Sequence, residues 1–186
     1  EAREIAEQLG FCNARKHDSQ DICFVPNGDY VKFMEQYTGK QYPAGAFLDL
    51  EGQTVGRHCG AVRYTLGQRK GLGLAMGEPV YVCGKNMAAN TVTVGPENAL
   101  YSSMLLAEDM NWISIPQLKQ PMRVKAKTRY RQAEQWAAVY PEQHGRVRLE
   151  FDVPQRAVTV GQAVVLYDGD VVVGGGTICQ APPTKR

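Results

Sequence analysis

The chain has 186 residues, of which 44% are hydrophobic and 22% are charged, and its formal net charge is +2. These values are typical of one globular domain or two small ones, and no run reaches the roughly 18 apolar residues that a membrane helix needs. The first residues lack the basic start and apolar core of a signal peptide, and they also lack Met. We therefore expect a part of a longer cytoplasmic protein that has no contact with a membrane.

The cysteines are widely and unevenly spaced, at Cys12, Cys23, Cys59, Cys83 and Cys179. The sequence has no Cys-x-x-Cys pair, which argues against a zinc site, and the odd number argues against a secreted disulfide scaffold. We expect no metal site and a reducing compartment.

Charge is unevenly distributed along the chain. Residues 1–60 contain six Lys or Arg and nine Asp or Glu, a net charge of −3. Residues 61–186 contain fifteen Lys or Arg and ten Asp or Glu, a net charge of +5. An anionic partner is therefore expected on the C-terminal two-thirds.

Two short helices are predicted near the N-terminus. Residues 3–9 are helix formers followed by Gly10, which is suited to end a helix. Asp29 is placed to cap a second helix that runs to about Tyr37, with Gly39 just past its end.

The remaining chain alternates between strand and turn patterns. Residues 46–56 predict a β-hairpin around Glu51 and Gly52, and residues 79–85 and 91–95 predict two more strands. A linker is expected at 96–103. Further strands are predicted at 105–113, 121–131, 134–141, 145–153, 162–168 and 170–179. This pattern indicates a small barrel or sandwich, in a chain that is mainly β with a few short helices (α+β).

Cys23 lies where a polar segment becomes apolar. Its thiol would be a nucleophile if the positive charge of Arg15, Lys16 and His17 lowered its pKa, because the thiolate is the reactive form. The alternative is a small buried hydrophobic residue, and the local sequence leaves both interpretations open.

Residues 64–73 contain three glycines around Gln68, Arg69 and Lys70. Glycines permit close backbone approach and the two cations suit phosphate, so Arg69 and Lys70 are candidate phosphate contacts. A glycine-rich surface loop with incidental charge is the alternative. The pattern is not a Walker A loop.

Residues 123–131 carry a cation at every second position: Arg123, Lys125, Lys127, Arg129 and Arg131. On one continuous strand these side chains would share a face, which favours an anion-binding surface with RNA as the natural partner. Lysines that protect an exposed edge strand are the alternative. Tyr130 would either stack on a base or belong to the core.

Five segments, taken in order, resemble the tRNA-specific 2-thiouridylase (tRNA-uridine 2-sulfurtransferase) family. They are residues 18–24, 64–73, 127–131, 157–162 and 174–176. The resemblance implies an ATP-pyrophosphatase domain ahead of this chain, with residues 1–17 as its tail. It further implies a central domain at 18–103 and a C-terminal six-stranded β-barrel at 104–186, like those of translation factors.

The chemistry implied by the resemblance replaces the C2 oxygen of the tRNA wobble uridine by sulfur. ATP adenylates that oxygen, and a cysteine absent from this sequence receives a persulfide from a sulfur-relay donor protein. Cys23 then attacks the persulfide, which forms a transient disulfide and releases sulfur at the base.

The resemblance also implies tRNA contacts by Arg129, Tyr130 and Gln162, to which the charge pattern adds Lys125 and Lys127. The sequence lacks the family's ATP loop, so we expect the chain to bind no ATP and to be inactive alone. A stand-alone RNA-binding barrel with structural cysteines is the alternative hypothesis.

Overall fold

The structure is a computed structural model and describes residues 1–15, 25 and 29–182. The chain forms two compact units, Glu1–Tyr42 and Pro43–Arg186. In the first unit, helix α1 spans Ala2–Gln8 and helix α2 spans Tyr30–Thr38. The Asp29 carboxylate accepts a hydrogen bond from the backbone N–H of Lys32 at 3.1 Å, and Gly39 ends α2 in a left-handed conformation. The predicted cap and stop are thus confirmed.

The second unit begins with a four-stranded sheet. Its strands are β1 (Gly45–Leu48), β2 (Thr54–His58), β3 (Tyr81–Asn86) and β4 (Thr91–Gly95), in the order β2-β1-β4-β3. The β1–β2 turn is closed by the Asp49 carboxylate, which accepts hydrogen bonds from the backbone N–H groups of Glu51 and Gln53. The fully buried Phe47 and Val92 lie in the core of this sheet.

A closed antiparallel barrel follows. Its strands are β5 (Tyr101–Trp112), β6 (Met122–Lys127), β7 (Gln135–Pro141), β8 (Val147–Arg156), β9 (Ala163–Asp168) and β10 (Val171–Gln180), joined in the ring order β10-β5-β8-β7-β6-β9. Alternate residues of each strand point inward because the side-chain period of a strand is two. The core is filled by Leu105, Val124, Leu149, Leu166 and Ile178.

The glycine run 174–176 lies in β10, between β5 and β9. A Cβ at Gly174 would lie 2.6 Å from the carbonyl oxygen of Asn111, and one at Gly175 would lie 2.8 Å from that of Val164. Both neighbours are backbone atoms. Neighbouring strands therefore approach this run so closely that only glycine fits there.

The predicted fold class is confirmed, since the described residues are mainly strands with two α-helices and six of the strands close a barrel. Strand β5 begins at Tyr101, directly after a 3₁₀ turn at Glu97–Leu100. The domain boundary between residues 103 and 104 stays a prediction. In the part of the chain that is described, no helix has the length and apolar character needed to cross a membrane.

Candidate nucleic-acid interface

The predicted strand at 121–131 is wrong at its C-terminal end. Strand β6 ends at Lys127, and the chain then makes a tight turn in which the backbone N–H of Gln132 donates to the carbonyl oxygen of Arg129 at 3.2 Å. Arg129 and Arg131 therefore do not continue the row of cations on the strand. The expected single face of five cations is reduced to Arg123, Lys125 and Lys127.

Side chains beneath this turn hold it in place. The hydroxyl of the buried Thr128 donates to the Gln132 side-chain oxygen at 2.9 Å, and the Gln132 amide donates to the side-chain oxygen of the buried Gln155. These bonds satisfy polar groups that would be costly to bury unpaired. They leave Tyr130 at the tip of the turn with 95% of its surface exposed, which excludes the core alternative for this residue.

Arg129 is held by the chain itself. Its Nη2 atom donates to the carbonyl oxygen of Ala157 at 2.6 Å and lies 3.3 Å from the hydroxyl oxygen of Thr159. Its Nε atom is buried without a hydrogen-bond partner among the described residues. One edge of the guanidinium is thus hydrogen-bonded to the segment that follows β8.

A second turn faces the first. It is closed by the backbone N–H of Gln162, which donates to the carbonyl oxygen of Thr159 at 3.2 Å, and by two backbone hydrogen bonds to Ile178. Gly161 supplies the left-handed conformation with a φ of 84°. The side chain of Gln162 is exposed at the start of β9.

The two turns enclose a shallow hollow of about 430 Å³, which we call the barrel hollow. Its lining includes four of the residues predicted from the sequence: Lys127, Arg129, Tyr130 and Gln162. Val165 and Tyr167 of β9 also line it. The sequence did not predict them, because nothing in their local sequence distinguishes them from ordinary strand residues. Two aromatic rings, two cations and an amide therefore converge on one open cavity.

The two lysines of β6 differ in their surroundings. Lys125 pairs with Glu134 at 2.8 Å and lies outside the lining of the barrel hollow, whereas Lys127 lines it, with its ammonium 5.6 Å from the centre of the Tyr167 ring. Lys127 makes no ion pair with any residue that the structure describes. The hydrogen bond from Lys125 lowers the pKa of Glu134, and the charges of Lys125 and Lys127 act in the same direction.

The acidic partners of the β6 cations are Glu134, just before β7, and Asp152 on β8, and the linear sequence did not place them beside β6. Besides the Lys125 pair, both terminal nitrogens of Arg123 contact the Asp152 carboxylate on β8. The uninterrupted basic run is therefore partly neutralised in the fold. Lys127 and Arg129, which line the barrel hollow, and Arg131 in the same turn make no ion pair with a residue that the structure describes.

Arg69 and Lys70 lie outside the lining of the barrel hollow. They are exposed in the loop between β2 and β3, where Arg69 lines a separate hollow of about 260 Å³. The loop is folded by Gln68, whose side chain accepts from the backbone of Thr65 and donates to the carbonyl oxygen of Lys70, each at 3.0 Å. A Cβ at Gly67 would lie 3.1 Å from that of Ala157, so this loop packs directly on the segment that holds Arg129.

Cys23 lies outside the described residues, as do Lys16 and His17. Among the other cysteines, Cys83 and Cys179 have thiols that donate to backbone carbonyl oxygens of Tyr81 and Leu106. Burial raises the pKa of both thiols, which favours the unreactive protonated form. Both are suited to a structural role.

Two protein-family models match the chain. The tRNA methyl transferase PRC-barrel domain matches residues 31–96, and the aminomethyltransferase beta-barrel domain matches residues 102–178. The second range contains the barrel hollow.

Relatives at high identity carry one name. A tRNA-specific 2-thiouridylase of Acetivibrio thermocellus is 53% identical over 178 residues, which are 96% of this chain and 50% of the relative. Those of Heliobacterium modesticaldum and Koribacter versatilis are 51% and 48% identical, with 96% of this chain and 47% and 50% of each relative covered. The chain spans about half the length of the curated relatives it matches. The two domain models and these relatives confirm the predicted resemblance: the chain belongs to the tRNA-specific 2-thiouridylase family.

Proposed function

We propose that the chain is the part of a cytoplasmic tRNA-uridine 2-sulfurtransferase that holds tRNA through its barrel and supplies the second catalytic cysteine, Cys23. In this proposal Tyr130 stacks on a base, Lys127 contacts a phosphate and Gln162 donates or accepts a hydrogen bond. Arg129 orients the turn that carries Tyr130. Arg69 and Lys70 form a separate phosphate contact on the four-stranded sheet.

The observation that carries the proposal is the position of Tyr130. An almost fully exposed tyrosine has lost the gain from burying its ring, yet the Thr128–Gln132–Gln155 bonds fix the turn that presents it. Here the ring stands beside cations that make no ion pair within the described ranges. An exposed aromatic ring next to cations is the arrangement with which proteins bind unpaired bases and their phosphates.

The binding test uses the full chain and a fluorescently labelled tRNA transcript with a uridine at the wobble position. Tyr130→Ala is expected to raise the Kd about fivefold or more, since stacking on one base is worth about 1–3 kcal/mol. The matched control is Ile113→Ala, which removes an exposed apolar side chain just after β5, on the side of the ring opposite β6. An unchanged Kd for both Tyr130→Ala and Lys127→Glu would overturn the barrel hollow as a tRNA site.

The catalytic part of the proposal concerns one displacement reaction. The Cys23 thiolate attacks the inner sulfur of a persulfide on the other cysteine, a disulfide forms, and hydrosulfide leaves. The hydrosulfide attacks C2 of the uridine and displaces the adenylated oxygen, which departs as AMP. A thiol reductant then restores both cysteines. ATP would be bound outside this chain, because its residues include no ATP loop, and the persulfide would come from a sulfur-relay donor protein.

Cys23→Ser in the full-length enzyme tests this role by measuring 2-thiouridine in tRNA. Loss of 2-thiouridine with unchanged tRNA affinity is expected, and Cys59→Ser, which changes an exposed cysteine, is the control. Normal 2-thiouridine formation by Cys23→Ser, together with intact tRNA binding, would instead favour a non-catalytic RNA-binding barrel.

A further inference from the structure

Two aromatic residues, Tyr167 and Trp136, form a row with Lys125 across the outer face of the barrel, beside the barrel hollow. In the strand register, Lys125 of β6 lies directly between Tyr167 of β9 and Trp136 of β7. Neighbouring strands are about 4.8 Å apart, which places the backbones of Tyr167 and Trp136 about 10 Å from each other. Tyr167 lines the barrel hollow, so the row leads from the hollow to Trp136.

Two cations lie close to the ring of Trp136. The Arg123 guanidinium and the Lys125 ammonium each lie 5.6 Å from the centre of its ring, while 48% of Trp136 remains exposed. Ion pairs with Asp152 and Glu134 hold these two cations in place. A large ring beside two cations that are held by ion pairs is a pre-organised surface whose side chains lose little further freedom on binding.

We propose that Trp136 is a second stacking platform for an unpaired nucleotide and that the RNA surface of the barrel continues from the barrel hollow across β9 and β6 to β7. This inference rests on the proposed function, because it extends the same surface. Continuity is provided by Lys127, whose ammonium lies over the Tyr167 ring at the border between the two parts.

The charge of the strip favours a nucleic acid over an apolar partner. Arg123, Lys125 and Lys127 face two acids, Glu134 and Asp152, which leaves one net positive charge on the strand face. Arg129 and Arg131 add two more at the adjoining turn, neither with an ion-pair partner in the described residues. Cations interleaved with aromatic rings match alternating phosphates and bases.

The chain contains two tryptophans, so Trp136 can report on its own environment. We expect single-stranded RNA to quench the intrinsic fluorescence, and Trp136→Phe to abolish most of that quenching. An RNA duplex with the same number of phosphates is expected to quench much less, because its bases are already stacked. Trp112, which packs against the barrel core, supplies the unquenched background.

Affinity provides the second measurement. Trp136→Ala is expected to raise the Kd for the single strand about fivefold, with Ile113→Ala as the control. The second platform is overturned if Tyr130→Ala weakens binding, Trp136→Ala leaves the Kd unchanged and RNA does not change the fluorescence of Trp136. The proposed function stands in that case. Equal quenching by the single strand and the duplex would also overturn it. If no variant of either site alters tRNA binding, the proposed function itself fails.

Discussion

The Nη2 atom of Arg129 and the carbonyl oxygen of Ala157 are joined by a hydrogen bond of 2.6 Å across 28 residues of sequence. The Thr159 hydroxyl donates to the same oxygen at 3.0 Å, so this carbonyl accepts two hydrogen bonds. Ala157 has a φ of 52°, a left-handed conformation that residues with a Cβ rarely adopt. The barrel hollow is thus closed on one side by an arginine bound to an unusual backbone position.

Arg129→Ala should destabilise the chain because it removes this bond from a partly buried carbonyl. We expect the free energy of unfolding to fall by about 1–3 kcal/mol, measured by urea denaturation. Arg131→Ala is the matched control, since Arg131 is exposed in the same turn and makes no ion pair within the described part of the chain. Equal stability of the two variants would show that the Arg129 bond does not contribute.

Gly67→Ala should cost more stability than Gly73→Ala. Both glycines have positive φ, of 84° and 67°, and both substitutions carry the strain of a left-handed residue, about 1 kcal/mol. Only at Gly67 would the new Cβ meet a neighbour, the Cβ of Ala157 at 3.1 Å, whereas the space around Gly73 is open. Thermal unfolding compares the two variants, and equal melting temperatures would contradict a close approach of the loop to Ala157.

Lys127 and Lys125 should differ in their effect on the salt dependence of tRNA binding. Lys127→Gln is expected to reduce the slope of log Kd against log salt by about 0.7–0.9, the value for one lost phosphate contact. Lys125→Gln should change the slope less, because Lys125 is paired with Glu134. The Kd measured between low and moderate salt tests this difference. A larger change of the slope in Lys125→Gln than in Lys127→Gln would mean that Lys125, not Lys127, contacts the phosphate.

Stability should decrease below about pH 6.5 through His58. Its imidazole is buried, and its Nδ1 atom accepts a hydrogen bond from the backbone N–H of Gly60 at 3.0 Å, which requires this nitrogen to be unprotonated. Burial lowers the pKa of His58 below its ordinary value. The unfolded chain therefore takes up the proton first as pH falls, near pH 6.5, and folding loses up to about 1.4 kcal/mol for each further pH unit until the folded protein is protonated as well.

The pH test compares urea unfolding at pH 8.0, 6.5 and 5.5. Stability should be constant between the first two values and lower at the third. His58→Gln should reduce this decrease, whereas His144→Gln, which alters an exposed turn, should preserve it. An unchanged decrease in His58→Gln would assign the titration to other groups.

Much of the fold follows from local patterns. Alternation of apolar and polar residues located all six barrel strands. Asp29, which can cap a helix, and Gly39, which can adopt a positive φ, located the two ends of α2. Each of these signals depends only on neighbouring residues. The end of β6 was missed for the opposite reason. The bonds from Gln132 to Gln155 join residues 23 apart, and such contacts leave no mark on the local pattern.

The site was predicted only in part for the same reason. Charge and aromatic character pointed to Lys127, Arg129 and Tyr130, and the family resemblance added Gln162. The sequence did not reveal the roles of Ala157 and Tyr167. Ala157 acts through its backbone oxygen, which binds Arg129, and Tyr167 acts through its position opposite Lys125 in the strand register. The acids that neutralise Arg123 and Lys125 also became visible only with the strand order.

The closed ring of the barrel limits how any partner can be recognised. Each of its six strands is hydrogen-bonded on both sides, so no barrel strand described here offers the free edge through which proteins add a partner strand. A ligand of the barrel must be recognised by side chains on its outer face and turns. The hydrogen-bonded ring of strands and the recognition surface are therefore separable. Exposed residues such as Tyr130, Gln162 and Trp136 can be replaced to change the affinity for a ligand, or the choice of ligand, while the strand pairing stays intact.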